Sequence, residues 1–502
     1  VMDPWAAAQL SMVTVLAAGY WGWYRVARDI IVLTAPWSHA LALIINASGF
    51  YLMHMVVGHM GFHTLPLLGI LLWILCDPKE DSATSLAARV SAFALTAAAV
   101  LYSGGFFVLM LLSLAYPLLL PIVLFTEKRR LRSCLRTVAS RLLFCGLAAL
   151  LISLSKLVAV WSIMRFFPRS ATFDHFAEGT NVLLFAARAF FYIPQGRFLF
   201  ASAGVPLQVH EYSMFLSPIV LMGLLCGPPL LIAKRHALRR NLWGTGGALL
   251  YTLVLLTFFT QLARGYGLFA AFLQRLPGFH SFHVTPRFLY LFSITLSILS
   301  VWCIERCLRW RESKEKWNVS LAMGACMLTI IALPVAYYPL LRSPELLRNL
   351  QYDFLKRDLE KKEYLTKNVS LVTSRGTDLT HVVRGTTGIR CIEALFGYSN
   401  EHQITSLAEG PTDRTEDGFF NLNHPACFQY PEENECRPGD RIAASDRENF
   451  DRFIRGEQTT WKLSKAQVFA DRLSFITLIG MLALLLGSPF WASRRAKSAT
   501  AT

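Results

Sequence analysis

The segment Ser48–His63 reads Ser-Gly-Phe-Tyr-Leu-Met-His-Met-Val-Val-Gly-His-Met-Gly-Phe-His and joins two hydrophobic stretches of the chain. It contains the histidines His54, His59 and His63, together with three glycines. Polar groups at membrane depth are costly unless they face protein, water or a ligand. A glycine-interrupted helix is tolerated there only where it lines a cavity or lies inside protein. We therefore predict that this segment forms one wall of a polar site near one membrane face, with the other hydrophobic segments built around it.

The composition of the chain indicates a membrane protein. Of its 502 residues, 54% are hydrophobic and 16% are charged, with a mean hydropathy of +0.41, whereas a soluble domain usually carries about 25% charged residues. A window of about 19 residues finds about eleven hydrophobic spans. They lie near residues 5–24, 30–50, 62–76, 86–102, 106–125, 139–161, 213–233, 243–262, 288–304, 319–341 and 469–489.

The formal net charge of +16 arises from short basic clusters between the apolar spans. These clusters are Arg25/Arg28, Lys128–Arg136, Lys234–Arg240, Arg306–Lys316 and Arg494–Lys497. If the spans alternate in direction, all the clusters fall on one side, which the positive-inside rule assigns to the cytoplasm. The pattern therefore indicates membrane orientation and no nucleic-acid partner. It also places Val1 on the outer side, so we expect at least one further helix upstream of this residue.

The spans and loops predict a membrane region and one soluble domain. Residues 1–341 form a multi-span core with long outer loops at 162–212 and 263–287. Residues 342–468 form an outer domain that contains a charged helical stretch and short β-like runs, and residues 469–502 form the last span and a polar tail. The predicted fold is thus an all-α polytopic membrane protein with a small α+β outer domain.

The three histidines allow three interpretations. On an ideal helix His54 and His59 point about 140° apart, whereas His59 and His63 are neighbours on one face. The imidazoles could bond backbone or water while the methionines around them fill gaps between helices, or they could line a substrate site. Imidazole next to methionine also suits copper or haem. We predict no metal site, and the sequence leaves open whether a divalent cation takes part.

A second polar segment, His280-Ser-Phe-His283-Val-Thr-Pro286-Arg287, directly precedes a hydrophobic span. Arg287 is expected at the outer membrane face, where lipid phosphates lie. A guanidinium suits phosphate because its planar fork donates two parallel hydrogen bonds. Two interpretations stay open, a phosphate-binding site and an interfacial arginine that reaches ordinary lipid head groups.

Other candidates lie in the predicted outer loops and at the start of the chain. The loops contain Arg197, His210, Glu211 and Arg264, among which Glu211 could act as a base or orient His210. Asp3 lies directly before the first span. Its carboxylate could accept a proton from an acceptor hydroxyl, although Asp-Pro is also an ordinary helix start.

Two cysteines of the outer domain, Cys427 and Cys436, predict a local disulfide. They lie in a Pro/Gly-containing loop on the predicted oxidising side of the membrane. Cys391 would be left over. Acidic residues in the same loop lack the ligand spacing of a calcium site, so solvated loop acids are the simpler interpretation.

Several of these features together resemble the GT-C superfamily of membrane glycosyltransferases, and in particular a bacterial branch that includes YfhO-type proteins. The residues that carry the resemblance are Ser48-Gly49-Phe50, Gly58-His59, Leu65-Pro66-Leu67-Leu68, Pro286-Arg287-Phe288-Leu289 and the segment Tyr430–Asp440. The resemblance implies a bacterial inner-membrane enzyme that transfers a sugar from a polyprenyl-phosphate donor on the periplasmic side. The acceptor would be a lipid, a glycan or a protein, and the outer domain would be periplasmic with a cytoplasmic tail.

The family's catalytic acid normally lies in the first outer loop, which here would precede Val1, so that only Asp3 stands near its end. In an inverting transferase, Asp3 or an upstream acid would be the base. Arg264 and Arg287 would hold the donor phosphate, and the histidines of the two polar segments would line the pocket. The alternative is a non-catalytic subunit of a larger membrane assembly. A transporter fits less well, because the sequence shows neither inverted repeats nor charged residues at mid-span.

Overall fold

The computed structural model describes residues 4–56, 59–79, 81–126, 131–164, 181–191, 214–233, 247–276, 279, 284–310, 315–341 and 463–499, together with four two-residue strands. This part of the chain is mainly helical. The helices are α1 (Pro4–Arg25), α2 (Ala35–Asn46), α3 (Gly49–Val56), α4 (Leu68–Cys76), α5 (Ala83–Tyr102), α6 (Phe106–Thr126), α7 (Leu131–Met164), α8 (Val182–Phe191), α9 (Pro218–Ala233), α10 (Gly247–Arg264), α11 (Leu268–Gln274), α12 (Leu289–Trp310), α13 (Glu315–Leu341) and α14 (Lys465–Ala499).

Short helical turns link several of these helices. A π-helical turn follows α1, and 3-10 turns precede α4 and α12. Their bounds are Val26–Ile30, Met60–Phe62, Leu65–Leu67 and Thr285–Phe288. The break after α3 agrees with the prediction that the glycine-containing segment does not form one continuous helix.

Four helices in the described residues are long and apolar enough to cross a membrane, judged by length and composition. They are Ala83–Tyr102, Arg136–Ser162, Thr285–Leu308 and Lys465–Gly487. Shorter apolar helices accompany them, among them Leu250–Arg264 and Val319–Ala332. The prediction of a helical membrane protein is confirmed at this level, and the count of about eleven spans stays a prediction.

Contacts between helix ends define the directions of the helices in the bundle. His63 bonds Ser11 near the start of α1, whereas the end of α4 meets Asp29, just after α1, through Trp73. Helices α1 and α4 therefore run parallel. We call the end with Asp29 the charged end and the end with His63 the histidine end.

The neighbouring helices follow the same two ends. Helix α5 begins at the charged end, and Ser103, which follows it, bonds Thr64 at the histidine end. Helix α12 runs from the histidine end towards the charged end, where Glu305 accepts a hydrogen bond from the backbone N–H of Thr34 at 2.8 Å. Thr34 directly precedes α2, so α2 begins where α12 ends, and the two helices run in opposite directions. Helices α1, α4 and α12 thus run towards the charged end and α2 and α5 run away from it, an alternation along the chain that is usual for polytopic membrane proteins.

Small residues permit the close packing of α1 against α4. A Cβ atom built on Gly22 would lie 2.4 Å from the backbone nitrogen of Ile70, and one on Gly69 would lie 2.8 Å from the nitrogen of Trp23. Only glycine allows two backbones to approach so closely, which is a common way for membrane helices to associate. Among the four membrane-length helices, α12 has the largest buried share, 72% of its window.

The chain divides into two units, of which the second comprises residues 157–170 and 340–470. Its described residues include the last turns of α7, the end of α13, the start of α14 and two antiparallel strand pairs. They are β1 (Asn368–Val369) with β2 (Gly410–Pro411), and β3 (Phe419–Phe420) with β4 (Ile442–Ala443). The predicted α+β domain at 342–468 stays a prediction.

Candidate functional site

Phe62, near the end of the segment Ser48–His63, contacts two histidines of that segment and Arg287. Its ring centroid lies 4.0 Å from that of His54 and 6.4 Å from that of His59. The guanidinium carbon of Arg287 lies 4.9 Å from the centroid of the Phe62 ring, within the range of a cation–π contact. We call His54, His59, Phe62 and Arg287 the Phe62 cluster. Three of the predicted site residues therefore meet around one aromatic ring.

The break after α3 brings His54 and His59 to the same ring. The backbone N–H of His59 donates to the carbonyl of His54 at 2.8 Å, which closes a wider turn than the i to i+4 hydrogen bonds of an α-helix. The two imidazole centroids then lie 5.5 Å apart. On a straight helix the side chains of His54 and His59 would point about 140° apart, so the break after α3 is what allows both to approach the same ring.

Arg287 is positioned by the 3-10 turn Thr285–Phe288 that starts α12. Pro286 occupies the beginning of this turn, where its fixed φ suits a first helical turn. The hydroxyl of Thr285 donates to the carbonyl of Ala263 at 3.1 Å. The arginine is thus carried by a segment that is tied to the end of α10.

Aromatic side chains enclose His54. Phe50 lies 5.5 Å from Phe62 and 5.2 Å from Tyr290 between ring centroids, and His54 itself is fully buried. Nδ1 of His54 lies 2.8 Å from the carbonyl oxygen of Phe50. Because a carbonyl only accepts, Nδ1 carries the proton, and a neutral imidazole then presents Nε2 as an acceptor.

The other predicted residues in the described part have different partners. His63 bonds the Ser11 hydroxyl of α1 through Nε2 at 2.8 Å and so ties the turn before α4 to α1. Arg264, the last residue of α10, contacts Tyr266, with Nε 3.1 Å from the hydroxyl and the guanidinium carbon 4.5 Å from the ring centroid. Arg264 nevertheless lies at the histidine end, because its neighbour Ala263 bonds Thr285.

Several predictions concern residues outside the described part of the chain. These residues are Asp3, Arg197, His210, Glu211, His280, His283, Cys427 and Cys436. Their roles, including the disulfide, stay predictions. Cys145 and Cys303 are buried free thiols.

The Phe62 cluster contains one cation, Arg287, and two imidazoles. The carboxylates among the described side chains lie elsewhere: Asp29, Asp77 and Asp81 are at the charged end, and Asp471 bonds Ser155. Glu305 lies on α12 about 27 Å from Arg287 along the helix, at about 1.5 Å per residue. Within the same residues no group of three or more His, Cys, Asp or Glu could hold a metal ion.

Sequence analysis missed a network of buried ions at the charged end. Arg89 pairs with Asp77 at 2.5 Å and with Asp81 at 2.9 Å. Arg141, whose side chain is fully buried, pairs with Asp81 at 2.6 Å and donates to the backbone carbonyl of Asp77. The acidic loop between two spans was visible in the sequence, but its partner Arg141 lies on another helix and carries no local signal.

Asp29 belongs to the same end. Its carboxylate accepts from Arg25 at 2.7 Å and from the indole N–H of Trp73 at 3.0 Å, and it pairs with Lys79 at 3.3 Å. Burial acts to raise the pKa of Asp29, but the hydrogen bond and charge of Arg25, followed by Lys79 and Trp73, lower this pKa below its ordinary value. Arg25 also lies over the Trp73 ring, with its guanidinium carbon 4.6 Å from the centroid.

Comparison of the chain with protein-family models, with curated proteins and with solved structures found no match. Function therefore has to be inferred from the local chemistry. The charged end is closed by its own ion pairs, as is typical of a structural network. The Phe62 cluster instead combines a half-buried cation with imidazoles at one end of the bundle, which makes it the stronger candidate for ligand binding.

Proposed function

We propose that the chain is a GT-C-type membrane glycosyltransferase that moves a sugar from a polyprenyl-phosphate donor to a periplasmic lipid, glycan or protein acceptor. The observation that supports this function best is the position of Arg287. Its guanidinium lies over Phe62 beside His54 and His59 at the start of α12. Two chain segments far apart in sequence thus meet as a preformed cationic site.

The chemistry of sugar transfer explains the need for Arg287. When the bond between the sugar and the phosphate breaks, negative charge grows on the departing phosphate. A guanidinium held in place before the reaction stabilises that charge, and its fork matches two phosphate oxygens. In this proposal the half-buried imidazole of His59 bonds a sugar hydroxyl, and Arg264 supports the phosphate from the end of α10.

The reaction also needs a base for the acceptor hydroxyl. The proposal assigns this role to Asp3 or to a carboxylate upstream of it. An inverting displacement follows, in which the acceptor oxygen attacks the anomeric carbon, the bond to the phosphate breaks, and the base takes the hydroxyl proton. The proposal leaves open whether a divalent cation assists.

In the proposed arrangement the chain crosses a bacterial inner membrane about eleven times. The charged end lies in the cytoplasm, where Arg25, Lys79 and Arg89 satisfy the positive-inside rule. The histidine end and the α+β domain 342–468 then lie in the periplasm, and the tail after α14 is cytoplasmic. The alternation of helix directions in the described bundle supports this topology.

The test compares two arginines of α12 that both lie over aromatic rings. Arg287 lies over Phe62, and the exposed Arg306 lies over Trp302 at 5.5 Å at the other end of the helix. We expect Arg287→Ala to lower the amount of glycosylated product by about 100-fold, since it removes a preorganised charge. Arg287→Lys should retain part of the activity, and Arg306→Ala should leave it unchanged. Products are measured by mass spectrometry of polyprenyl-linked and lipid-linked glycans from a deletion strain that carries each variant.

A non-catalytic subunit is the second candidate. It is favoured by the complete burial of His54, whose Nδ1 bonds its own helix, and by the lack of a carboxylate in contact with the cluster among the described side chains. This role predicts unchanged glycans in Arg287→Ala together with a loss of associated membrane proteins on purification. Unchanged glycans at normal protein levels would refute the transferase.

A further inference from the structure

A groove of about 480 Å³ lies between α5, α7 and α14, away from the Phe62 cluster. Leu95 and Ala99 of α5, Ile152 of α7 and Leu478 of α14 form apolar parts of its wall. The volume lies within the range of about 300–1,000 Å³ that is usual for small-molecule sites. Its walls come from helices other than α3 and α12, so the groove is a separate feature of the molecule.

Polar groups at one end of the groove hold α14 against α7. The hydroxyl of Ser155 donates to Oδ1 of Asp471 at 2.6 Å. The Ser474 hydroxyl accepts from the backbone N–H of Ser155 at 2.9 Å and donates to the carbonyl of Leu151 at 3.0 Å. The N–H of Ser155 and the carbonyl of Leu151 are four residues apart and would bond each other in a regular helix, so the Ser474 hydroxyl bridges two backbone partners of α7.

The groove is therefore polar at one end and apolar along its length. From Asp471 to Leu478 the wall extends about 10 Å along α14, at about 1.5 Å per residue. Basic residues adjoin the polar end in sequence: Arg472 follows Asp471 on α14, where it is exposed, and Lys156 follows Ser155 on α7. Neither basic residue is among the described residues that line the groove, so the carboxylate of Asp471 is the charged group that its polar end presents.

The surroundings of the groove indicate what it meets. Three of the four helices long enough to cross a membrane form its walls. Phe475, which lines the groove, is 63% exposed, and outside the lining Ile479 of α14 and Leu147 of α7 are 52% and 51% exposed. Large exposed apolar side chains on such helices face lipid, so the groove opens towards hydrocarbon chains.

We propose that this groove binds one phospholipid with a primary-amine head group of the ethanolamine type. One acyl chain lies in the apolar part, and the ammonium bonds the carboxylate of Asp471. A primary amine fits because its N–H groups form charge-assisted hydrogen bonds with a carboxylate. A quaternary ammonium has no N–H to donate, and a glycerol head group has no cation.

The test uses the full chain in nanodiscs that contain phosphatidylethanolamine and phosphatidylglycerol with identical acyl chains in equal amounts. Native mass spectrometry then counts the lipids that stay bound after release from the disc. We expect the unmodified chain to keep one phosphatidylethanolamine. Asp471→Asn, which is isosteric, should reduce the preference for this lipid by about tenfold, as expected for loss of one charge-assisted hydrogen bond.

A second variant tests the apolar part of the groove. Ala99→Trp adds a large side chain from an exposed wall position and should abolish the retained lipid whatever its head group. Ile479→Trp, on the neighbouring lipid-facing surface of α14, is the matched control and should retain it. Thermal unfolding shows that each variant is folded.

Three outcomes would overturn the proposal. These are equal retention of the two lipids by the unmodified chain, a retained lipid in folded Ala99→Trp, and no retained lipid at all. A photo-reactive residue placed at 478 extends the test. Cross-linking to another protein helix instead of to lipid would show that a protein partner fills the groove.

Discussion

Replacement of Arg141 by alanine should destabilise the protein strongly, because this side chain is fully buried and has several partners at the charged end. It pairs with Asp81 at 2.6 Å and donates to the backbone carbonyls of Asp77 and Lys79. Removal of one partner from a buried ion pair costs about 3–5 kcal/mol. Arg89 still contacts Asp81 at 2.9 Å, which moderates this loss.

The two carbonyls that lose their donor add about 1 kcal/mol or more each. With the ion-pair loss reduced to about 2 kcal/mol by the remaining Arg89 contact, these contributions predict that Arg141→Ala lowers the free energy of unfolding by about 4 kcal/mol. Arg141→Lys should cost about half as much, since an ammonium keeps the charge but cannot reproduce the planar fork.

The free energy of unfolding is measured by titration with dodecyl sulfate in mixed micelles, followed by circular dichroism. Arg136 provides the matched control, because it lies on the same helix and is exposed. Arg136→Ala should change stability by less than about 0.5 kcal/mol. If Arg141→Ala and Arg136→Ala differ by less than about 1 kcal/mol, the network does not stabilise the fold as we infer.

Two further perturbations test the packing of α1. Because the folded-state pKa of Asp29 is lowered by Arg25, the ion pair stabilises the protein above the unfolded pKa of about 3.9 and loses this contribution as the pH falls through the folded value. The stability difference between the unmodified chain and Asp29→Asn should therefore shrink on acidification from pH of about 5 to about 3, and a constant difference would contradict it. Gly22→Ala should cost about 1–3 kcal/mol through overpacking, since its Cβ would lie 2.4 Å from the nitrogen of Ile70. Gly146→Ala, in a helix with nothing within 4 Å of the added Cβ, should instead stabilise by up to about 1 kcal/mol, and equal effects in the two variants would refute the close contact.

The sequence predicted the features that depend on local chemistry. Long apolar runs must form helices in a membrane, because each backbone polar group has to be satisfied within the segment. The glycines of Ser48–His63 predicted an interrupted helix, and α3 ends at Val56. Pro286 lies in the turn that starts α12, where the fixed φ of proline suits a first helical turn.

Contacts between distant residues could be predicted only in part. The resemblance to the GT-C superfamily implied that Arg287 and the histidines line one pocket, but the ring that joins them, Phe62, was not recognised. His63 was grouped with His59 by its spacing, yet it bonds Ser11. A side chain near a turn can reach several helices, and its choice depends on the turn geometry, which spacing alone does not encode.

What the sequence determined by itself is the helical membrane class of the chain, together with the places where its helices break. Those properties follow from the hydrophobicity and backbone preferences of neighbouring residues. The tertiary structure alone decided that Arg141 pairs with Asp81, that Ser474 enters the hydrogen-bond ladder of α7, and that Arg287 lies over Phe62. Each of these contacts depends on which helices pack side by side, because a hydrogen bond, an ion pair or a ring contact acts only at short range. The partner of such a side chain can lie anywhere in the sequence, so local sequence patterns do not identify it.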